Sequence, residues 1–205
     1  MSQNERKMES DEKTRWNQRH REANPASLEP EPFLVSAWDQ FLRERRPGHA
    51  LDVAGGTGRN ALWLMRRGWR VKLIDISEAA IALAEEQART ISSPLPETEP
   101  RGSFTTEVAD LNLVQNLGRE LYDLIVVFYY LQRDLFPALA AALKVNGILI
   151  YKTFTAEQQH RPRGPRNPEY LLRPDELRQA FHDLRILHYR ESVVMNATAE
   201  LVAEK

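Results

Sequence analysis

The chain has 205 residues, of which 42% are hydrophobic and 28% are charged, and it carries a formal net charge of -1 with an isoelectric point near 6.5. This length suits one α/β domain, and the composition is that of a globular protein rather than a disordered or fibrous one. A nearly neutral chain has no general attraction to polyanions, so nucleic acid is not an expected partner, and the absence of cysteine excludes disulfides, thiolate metal sites and a cysteine nucleophile.

The N-terminal residues are polar. Residues 1–15 carry charges of both signs and offer no apolar stretch that would serve as a signal peptide. No apolar run elsewhere approaches the roughly 20 residues that a membrane span needs. We therefore expect a cytoplasmic protein with no membrane partner, with a flexible N-terminal arm at residues 1–15 and one domain at residues 16–205. The sequence does not indicate an oligomeric state.

In the first half of the chain, helical and strand patterns alternate. Phe33 and Trp38 belong to an apolar set at helical spacing, which Pro47-Gly48 ends, and Ser77 has the side chain of a helix N-cap. The pattern predicts a helix at residues 33–42, a strand at 50–54, a glycine turn at 55–58, a helix at 59–67, a strand at 70–76 and a helix after Ser77.

The second half continues the alternation and ends in a hairpin. Three prolines between residues 91 and 102 indicate a loop, and residues 156–168 form a basic, proline-containing insertion without periodicity. The pattern predicts strands at residues 103–109 and 122–128, a helix at 135–143, a turn at Asn146-Gly147, a strand at 148–154, a helix beginning near Pro174, and strands at 185–191 and 197–203.

Seven strands, the first five alternating with helices, predict a three-layer, Rossmann-like α/β fold. The sheet is expected to be mostly parallel, with an antiparallel C-terminal strand because the last two strands are joined by a short hairpin.

The strongest local signal is the turn that follows the first predicted strand. Residues 51–58 read Leu-Asp-Val-Ala-Gly-Gly-Thr-Gly between a strand and a helix. Glycines at such a turn allow bare backbone to approach a ligand closely. Asp52, near the strand end, is placed to receive the ammonium group of a bound amino acid.

Two more acids end the next two predicted strands. Asp75 lies about 20 residues beyond the glycines, the spacing at which a carboxylate accepts hydrogen bonds from ribose hydroxyls. Asp110 ends the third strand, where it is placed to receive an adenine amino group while Leu111 packs on the ring. Together with Asp52, these carboxylates fall on one edge of a parallel sheet, where such folds bind ligands.

With these motifs, the chain resembles the class I S-adenosylmethionine (AdoMet)-dependent methyltransferases, and within them the tellurite-resistance and thiopurine methyltransferase group. The resemblance covers residues 16–205. Besides the motifs above, it rests on residues 58–64, on residues 16–19 and 129–133, and on residues 163–168 of the insertion with the segment 171–174 that follows. One departure is Ala54, which replaces the first glycine of the family's G-x-G-x-G turn.

The resemblance implies AdoMet as the cofactor and S-adenosylhomocysteine (AdoHcy) as its product. Asp52 and the turn would hold the methionine part, Asp75 the ribose, Asp110 and Leu111 the adenine, and Phe128 would lie beside the methionine chain. Trp16 and Arg19 are expected to fold over the cofactor as a lid. The expected cofactor-binding residues are Asp52, Ala54, Gly55, Gly56, Gly58, Asn60, Asp75, Ile76, Asp110, Leu111, Phe128, Trp16 and Arg19.

The expected acceptor is a small molecule, methylated by in-line transfer on sulfur, oxygen, nitrogen or a metalloid. The hairpin between residues 191 and 198 has no His or Arg to hold an oxyanion, so tellurite is not carried over as a substrate. No catalytic residue is assigned, and the five scattered histidines indicate no metal site. The expected substrate-binding residues are Tyr129, Tyr130, Arg133, Lys152 and Arg166.

Two alternatives remain open from the sequence. Residues 56–61 also satisfy the G-x-G-x-x-A fingerprint of a nicotinamide-dependent oxidoreductase, with Asp75 beyond it. Against this reading, Asp110 has no dinucleotide role and the chain leaves little room for a substrate domain. The second alternative is a non-catalytic AdoMet-binding module.

Overall fold

A seven-stranded sheet forms the centre of the protein. The computed structural model describes residues 3–22, 28–91, 102–114 and 116–205. The strands are β1 (His49–Val53), β2 (Arg70–Asp75), β3 (Ser103–Val108), β4 (Tyr122–Phe128), β5 (Leu143–Phe154), β6 (Arg185–Ser192) and β7 (Thr198–Glu204), in the order β3-β2-β1-β4-β5-β7-β6. The helices are α1 (Gln3–Glu22), α2 (Pro32–Ala37), α3 (Arg59–Met65), α4 (Glu78–Ile91), α5 (Phe136–Ala142) and α6 (Glu176–Ala180). The predicted α/β fold is confirmed.

The strand directions bring most strand ends to one edge. β1 to β5 pair in parallel, and β7 is antiparallel to both β5 and β6. Strand β6 therefore runs in the same direction as β5, and the carboxyl ends of β1 to β6 share one edge, called the carboxyl edge below. Ligands bind at this edge in open α/β sheets.

Helices cover both faces of the sheet, and two buried clusters separate the layers. Leu124 and Val126 of β4 face the layer of α2, α3 and α4, whereas Ile125 and Val127 face α5 and α6. A strand buried on both faces needs an uninterrupted apolar run, which residues 122–128 supply.

β5 starts earlier than the sequence predicts, because Asn146-Gly147 lies inside the strand and not before it. Asn146 has φ 65°, and the pairing jumps from Tyr122–Leu143 to Leu124–Ile148, so the turn residues form an irregularity within the ladder. Lys205 stabilises this segment, since its carbonyl accepts from the Asn146 amide at 2.8 Å and its own amide donates to the Gly147 carbonyl at 3.0 Å. Leu143, which was placed in the preceding helix, belongs to the strand.

The helix boundaries otherwise follow the sequence closely. α2 continues as a π-helical turn, Trp38–Leu42. α4 begins after Ser77, whose hydroxyl accepts from the Ala80 amide at 3.1 Å, as its role as N-cap requires. α6 begins two residues after Pro174. The loop predicted for residues 91–102 lies almost wholly outside the described residues.

α1 crosses the boundary that was predicted between the arm and the domain. It packs beside the N-terminal end of α4, where Lys13 pairs with Glu78 at 2.6 Å. The Asn17 side-chain oxygen accepts from the Ser77 hydroxyl at 2.9 Å and the Ala79 amide at 3.0 Å. The flexibility of residues 1–15 stays a prediction.

The insertion folds back on the hairpin between β6 and β7. It contains the short 3-10 helices Ala156–His160 and Pro168–Tyr170. The fully buried Gln158 donates to the Arg163 carbonyl and accepts from the Ala197 amide, both at 2.7 Å.

In the part of the chain that the structure describes, no helix has the length and apolar character needed to cross a membrane.

Ser77→Ala tests the cap of α4. Loss of the hydroxyl leaves the Ala80 amide unpaired, so we expect the free energy of unfolding to fall by about 1 kcal/mol. Urea unfolding followed by circular dichroism measures it. Ser36→Ala is the matched control, because the Ser36 hydroxyl only donates to the Pro32 carbonyl on an exposed helix face. An equal loss in both variants would contradict the capping role.

Candidate active site

The turn after β1 lies directly over a buried carboxylate. A Cβ atom on Gly55 would lie 2.7 Å from the Asp52 carboxyl carbon, and one on Gly58, where φ is 83°, would lie 3.0 Å from the Ala84 methyl group. Side chains at either position would therefore push the turn off the sheet or off α4. Gly56 also has a positive φ, 57°, but a Cβ there would meet only His20, at 3.7 Å.

Ala54 has the backbone conformation of a glycine. Its φ is 52°, in the left-handed region where a Cβ atom crowds the following carbonyl. Ala54, which replaces the first glycine of the family's turn, therefore keeps the backbone conformation of a glycine at a strain of about 1–2 kcal/mol.

Asp52 is almost completely buried at the end of β1. One carboxylate oxygen accepts from the Ala61 amide in the first turn of α3, at 3.1 Å. Burial raises the pKa of Asp52 to about 7, and the charge of Asp75 adds to the rise. A cationic group bound beside Asp52 would favour its ionised form.

Asp75 holds the turn to the end of β2. Its two carboxylate oxygens accept from the Gly56 and Ser77 amides, each at 2.8 Å. Burial raises its pKa. Each carboxylate oxygen has a second lone pair, so the group retains capacity for further hydrogen bonds. Ile76, between these partners, is half-buried at the same edge.

Asp110 follows β3, and one of its oxygens is unpaired. Oδ1 accepts from the Asn112 amide at 2.8 Å, whereas the buried Oδ2 has no hydrogen-bond partner among the described residues. A buried acceptor of this kind is normally satisfied, so this oxygen indicates a ligand donor. Leu111 beside it is buried, and its carbonyl accepts from the Gln132 amide group at 2.9 Å. Tyr130 in turn donates to Gln132.

The C-terminal half of α1 covers the glycine turn. Trp16 is half-buried and its ring stacks on His20 with centroids 5.9 Å apart, while the exposed Arg19 places its guanidinium carbon 5.1 Å from the centre of the Trp16 ring. His20 is the side chain of α1 that faces Asp75, whose charge opposes the lowering of the His20 pKa by burial.

Phe128 ends β4, which pairs with β1, and Tyr129 follows it at the carboxyl edge. Phe128 is buried, whereas Tyr129 keeps 37% of its surface exposed. The φ of Tyr129 is 57°, an outlier for a bulky residue of the kind that clusters at functional sites. Its ring packs against Phe154 at the end of β5, with centroids 5.1 Å apart.

Lys152 and Asn60 are both engaged with other parts of the protein. The Lys152 ammonium lies 2.9 Å from the buried Glu31 and 3.0 Å from the buried Glu200. The other Glu31 oxygen pairs with Arg59 at 3.1 Å. The Asn60 side-chain oxygen accepts from the Glu31 amide at 2.8 Å. Glu31 thus joins the segment before α2 to the start of α3 and to β5.

The two arginines predicted to bind substrate lie in different surroundings. Arg133 makes a bidentate pair with Glu176 at 2.6 and 3.0 Å and donates to the carbonyls of Glu169 and Leu171, so it fastens the end of the insertion. Arg166 lies in the insertion with an exposed side chain. Their roles toward a substrate stay predictions.

Sequence reasoning missed two residues of this site. Glu31 lies in a polar, proline-containing segment without periodicity, so no pattern points to it. His20 has no metal-site spacing to another histidine, yet it directly follows residues 16–19, which carry part of the family resemblance. The signal that the sequence offered for His20 was its place next to Trp16 and Arg19, the residues expected to cover the cofactor.

Comparisons with known proteins agree with this arrangement. Residues 27–191 match the family described as a methyltransferase domain. The fold is similar to TehB from Haemophilus influenzae, with a TM-score of 0.67 and 20% identity over 85% of this chain and 62% of that chain. It is also similar to magnesium protoporphyrin IX methyltransferase from Synechocystis PCC 6803 with bound SAH, with a TM-score of 0.62 and 19% identity over 84% of this chain and 81% of that chain.

A curated relative extends the comparison. The chain is 31% identical over 174 residues, 80% of its length, to Hemagglutinin 1 of Eikenella corrodens. It spans only 53% of that protein.

The chain belongs to the methyltransferase domain family, and its fold is that of the AdoMet-dependent methyltransferases. The methyltransferase class predicted from the sequence is confirmed by the family, and the predicted fold is confirmed by the similarity to these solved structures. The oxidoreductase alternative is not supported, because the family that matches is a methyltransferase family.

Ala54→Gly tests the strain in the turn. Glycine removes the left-handed penalty but adds freedom to the unfolded chain, so we expect the free energy of unfolding to rise by up to about 1 kcal/mol. The control is Ala82→Gly on the exposed face of α4, which should lower it by about 1 kcal/mol. Chemical denaturation measures both, and a matching loss in the two variants would contradict the strain.

Proposed function

We propose that the protein transfers a methyl group from AdoMet, in line, to a small-molecule acceptor bound at the carboxyl edge. The observation that carries the proposal is the grouping of Asp52, Asp75 and Asp110 at the ends of three neighbouring strands around one glycine turn. Such a turn with flanking carboxylates complements a ligand that bears an ammonium group, ribose hydroxyls and an adenine amino group.

Each part of the cofactor has a matching group. The ammonium of the methionine part would pair with Asp52, over which Gly55 carries no side chain. Phe128 would lie beside the methionine chain. The ribose hydroxyls would donate to Asp75, whose spare lone pairs remain available. The adenine amino group would donate to the unpaired oxygen of Asp110, with Leu111 against the ring.

α1 supplies a cover for this site. His20 lies over Gly56, Trp16 stacks on His20, and Arg19 lies over Trp16. The role of Asn17 is to hold the helix against the start of α4. We infer that the helix excludes water from the bound cofactor, which strengthens the electrostatic contacts beneath it.

When bound, AdoMet supplies an electrophilic methyl group on a sulfonium centre. The protein's contribution is to position the acceptor. Holding the nucleophile about 3 Å from the methyl group and in line with it lowers the activation barrier by several kcal/mol. Tyr129, directly after β4, packs against Phe154 at the end of β5, so both rings lie at the carboxyl edge. Tyr130 and the exposed Arg166 stay proposed substrate contacts, and Arg133 acts on the insertion that borders this space.

Calorimetric titration with AdoHcy and, separately, with NADH tests the cofactor class. Micromolar binding of AdoHcy alone supports the proposal, and binding of NADH alone refutes it. Turnover distinguishes an enzyme from a non-catalytic module: AdoHcy formation from AdoMet that depends on an added acceptor supports transfer.

Asp110→Asn tests the adenine contact. An amide can present its NH₂ group to the adenine amino group and lacks the negative charge, so we expect AdoHcy affinity to fall by about tenfold, with the fold unchanged. Asp134→Asn is the control, because Asp134 is exposed on the turn before α5. Unchanged affinity in Asp110→Asn would contradict the assignment.

The pH dependence of binding tests Asp52. Its pKa is about 7 in the free protein, and an ammonium ligand selects the carboxylate, so binding below pH 7 must release a proton. We expect AdoHcy affinity to rise about tenfold from pH 6 to pH 8. In Asp52→Asn the affinity should be low and nearly independent of pH, and calorimetry across this range would show whether the slope persists.

A further inference from the structure

The loops after β3 and β4 meet across the ends of two other strands. In the sheet, β2 and β1 lie between β3 and β4, so the ends of β3 and β4 are about 14 Å apart at the usual strand spacing. The Gln132 side chain nevertheless donates to the Leu111 carbonyl at 2.9 Å. This hydrogen bond therefore joins two loops that strand pairing does not bring together.

A second partner fixes the orientation of the Gln132 amide group. A side-chain amide has donors only on its nitrogen and acceptors only on its oxygen. The Tyr130 hydroxyl donates to the Gln132 oxygen, so the NH₂ group points to Leu111. The Tyr130 carbonyl in turn accepts from the hydroxyl of Tyr151 at 3.0 Å, and Tyr151 is a residue of β5 with 1% of its surface exposed. These hydrogen bonds tie the loop after β3 to the buried part of β5.

The turn that follows β3 transmits this constraint to Asp110. The Leu111 carbonyl also accepts from the Val114 amide at 3.2 Å. The Asp110 carbonyl accepts from the Leu113 amide at 3.0 Å, so two overlapping turns close this segment. Oδ1 of Asp110 is held by the Asn112 amide at 2.8 Å. Because one oxygen is fixed inside the turn, the direction of the other, the buried and unpaired Oδ2, follows the orientation of the turn.

Apolar packing holds the two loops together without fixing this orientation. Leu111 and Leu131 are 4% and 8% exposed and belong to the same buried cluster. The free energy of apolar burial is non-directional, because it depends on the area removed from water. The hydrogen bonds of Gln132 therefore supply the directional constraint, and their loss would leave the turn packed but free to shift.

Resting on the proposed function, we propose that Gln132 and Tyr130 are positioning residues for the recognition of adenine. They fix the turn after β3 so that Oδ2 of Asp110 accepts a hydrogen bond from the adenine amino group. This role uses the hydroxyl hydrogen of Tyr130 and leaves its ring for the proposed contact with an acceptor. The preference of the site for adenine over a purine that lacks the amino group therefore depends on Gln132.

Binding of two ligands to the 205-residue chain tests this inference. The first ligand is AdoHcy, and the second is its 6-deamino analogue, in which hydrogen replaces the adenine amino group. The analogue keeps the purine ring, the ribose and the ammonium group, so the ratio of the two dissociation constants reports the amino contact alone. For the unmodified protein we expect AdoHcy to bind about tenfold more tightly, the effect of one hydrogen bond. Isothermal titration calorimetry measures both constants.

Gln132→Ala removes the hydrogen bond to Leu111. We expect the ratio to fall from about tenfold to about twofold, because Asp110 is no longer held in place. Gln179→Ala is the matched control, since the Gln179 amide donates to Asp175 at 3.4 Å on the exposed surface of α6, and it should keep the ratio. A merely structural defect weakens the binding of both ligands equally and does not change the ratio.

Two further variants separate the hydrogen bonds from side-chain volume. Gln132→Glu keeps the size of the side chain and the acceptor for Tyr130, but its carboxylate cannot donate to the Leu111 carbonyl, so the ratio should fall as in Gln132→Ala. This variant decides the question where Gln132→Ala does not fold. Tyr130→Phe removes the donor that orients the amide and should also lower the ratio. Its control is Tyr189→Phe, which removes a hydroxyl that donates to Glu191 at 2.5 Å and should keep the ratio.

The outcomes discriminate between this inference and the proposed function. A ratio that falls in the Gln132 variants and is kept in Gln179→Ala supports the inference. A ratio that is unchanged in the Gln132 variants, or that falls equally in the control, overturns it. Equal binding of the two ligands by the unmodified protein also overturns it, while AdoHcy binding leaves the proposed function in place. Failure of AdoHcy to bind overturns the proposed function and this inference with it.

Discussion

A carboxylate buried beneath a tight turn constrains the whole carboxyl edge of this protein. Asp52 lies in the apolar interior at the end of β1, and its carboxylate accepts a hydrogen bond from the Ala61 amide in the first turn of α3. Strand, turn and helix are therefore joined at one point. Gly55 must lack a side chain because the carboxylate occupies that space. The turn is then bound to β2 through Asp75. Asp52, the turn and Asp75 are therefore held in a fixed relation to one another.

The sequence was sufficient for most of the fold, because the fold follows from local patterns. Residues 122–128 are a continuous apolar run and form β4 with the predicted bounds, and Ser77 caps α4 as its type and position indicate. The early start of β5 was not predictable in this way. It depends on pairing with Lys205, about 60 residues away along the chain, which no local pattern contains.

The residues of the candidate site also divide into those that local sequence patterns reveal and those that only the fold brings together. Asp52, Asp75 and Asp110 end strands that are neighbours in the sheet, so strand order alone brings them together, although their contacts with a cofactor remain proposed. The partners of Lys152 were beyond sequence reasoning, because Glu31 and Glu200 come from distant segments that meet only in the fold. A lysine read as a free cation is in fact paired with two buried carboxylates. This pairing means that Lys152 does not present an unpaired positive charge to an acceptor.

The position of β7 between β5 and β6 also affects how the edge of the sheet opens. Within the described sheet, β6 has β7 as its strand neighbour and does not pair with β5. Separation of β7 from β5 would therefore release β6, the hairpin and the support that Ala197 gives to Gln158 in one step. Local unfolding of this kind occurs in contiguous cooperative units. The hairpin and the insertion residues bound to it thus belong to a unit whose opening is governed by strand pairing, and its hydrogen-exchange protection should be uniform from β6 through β7.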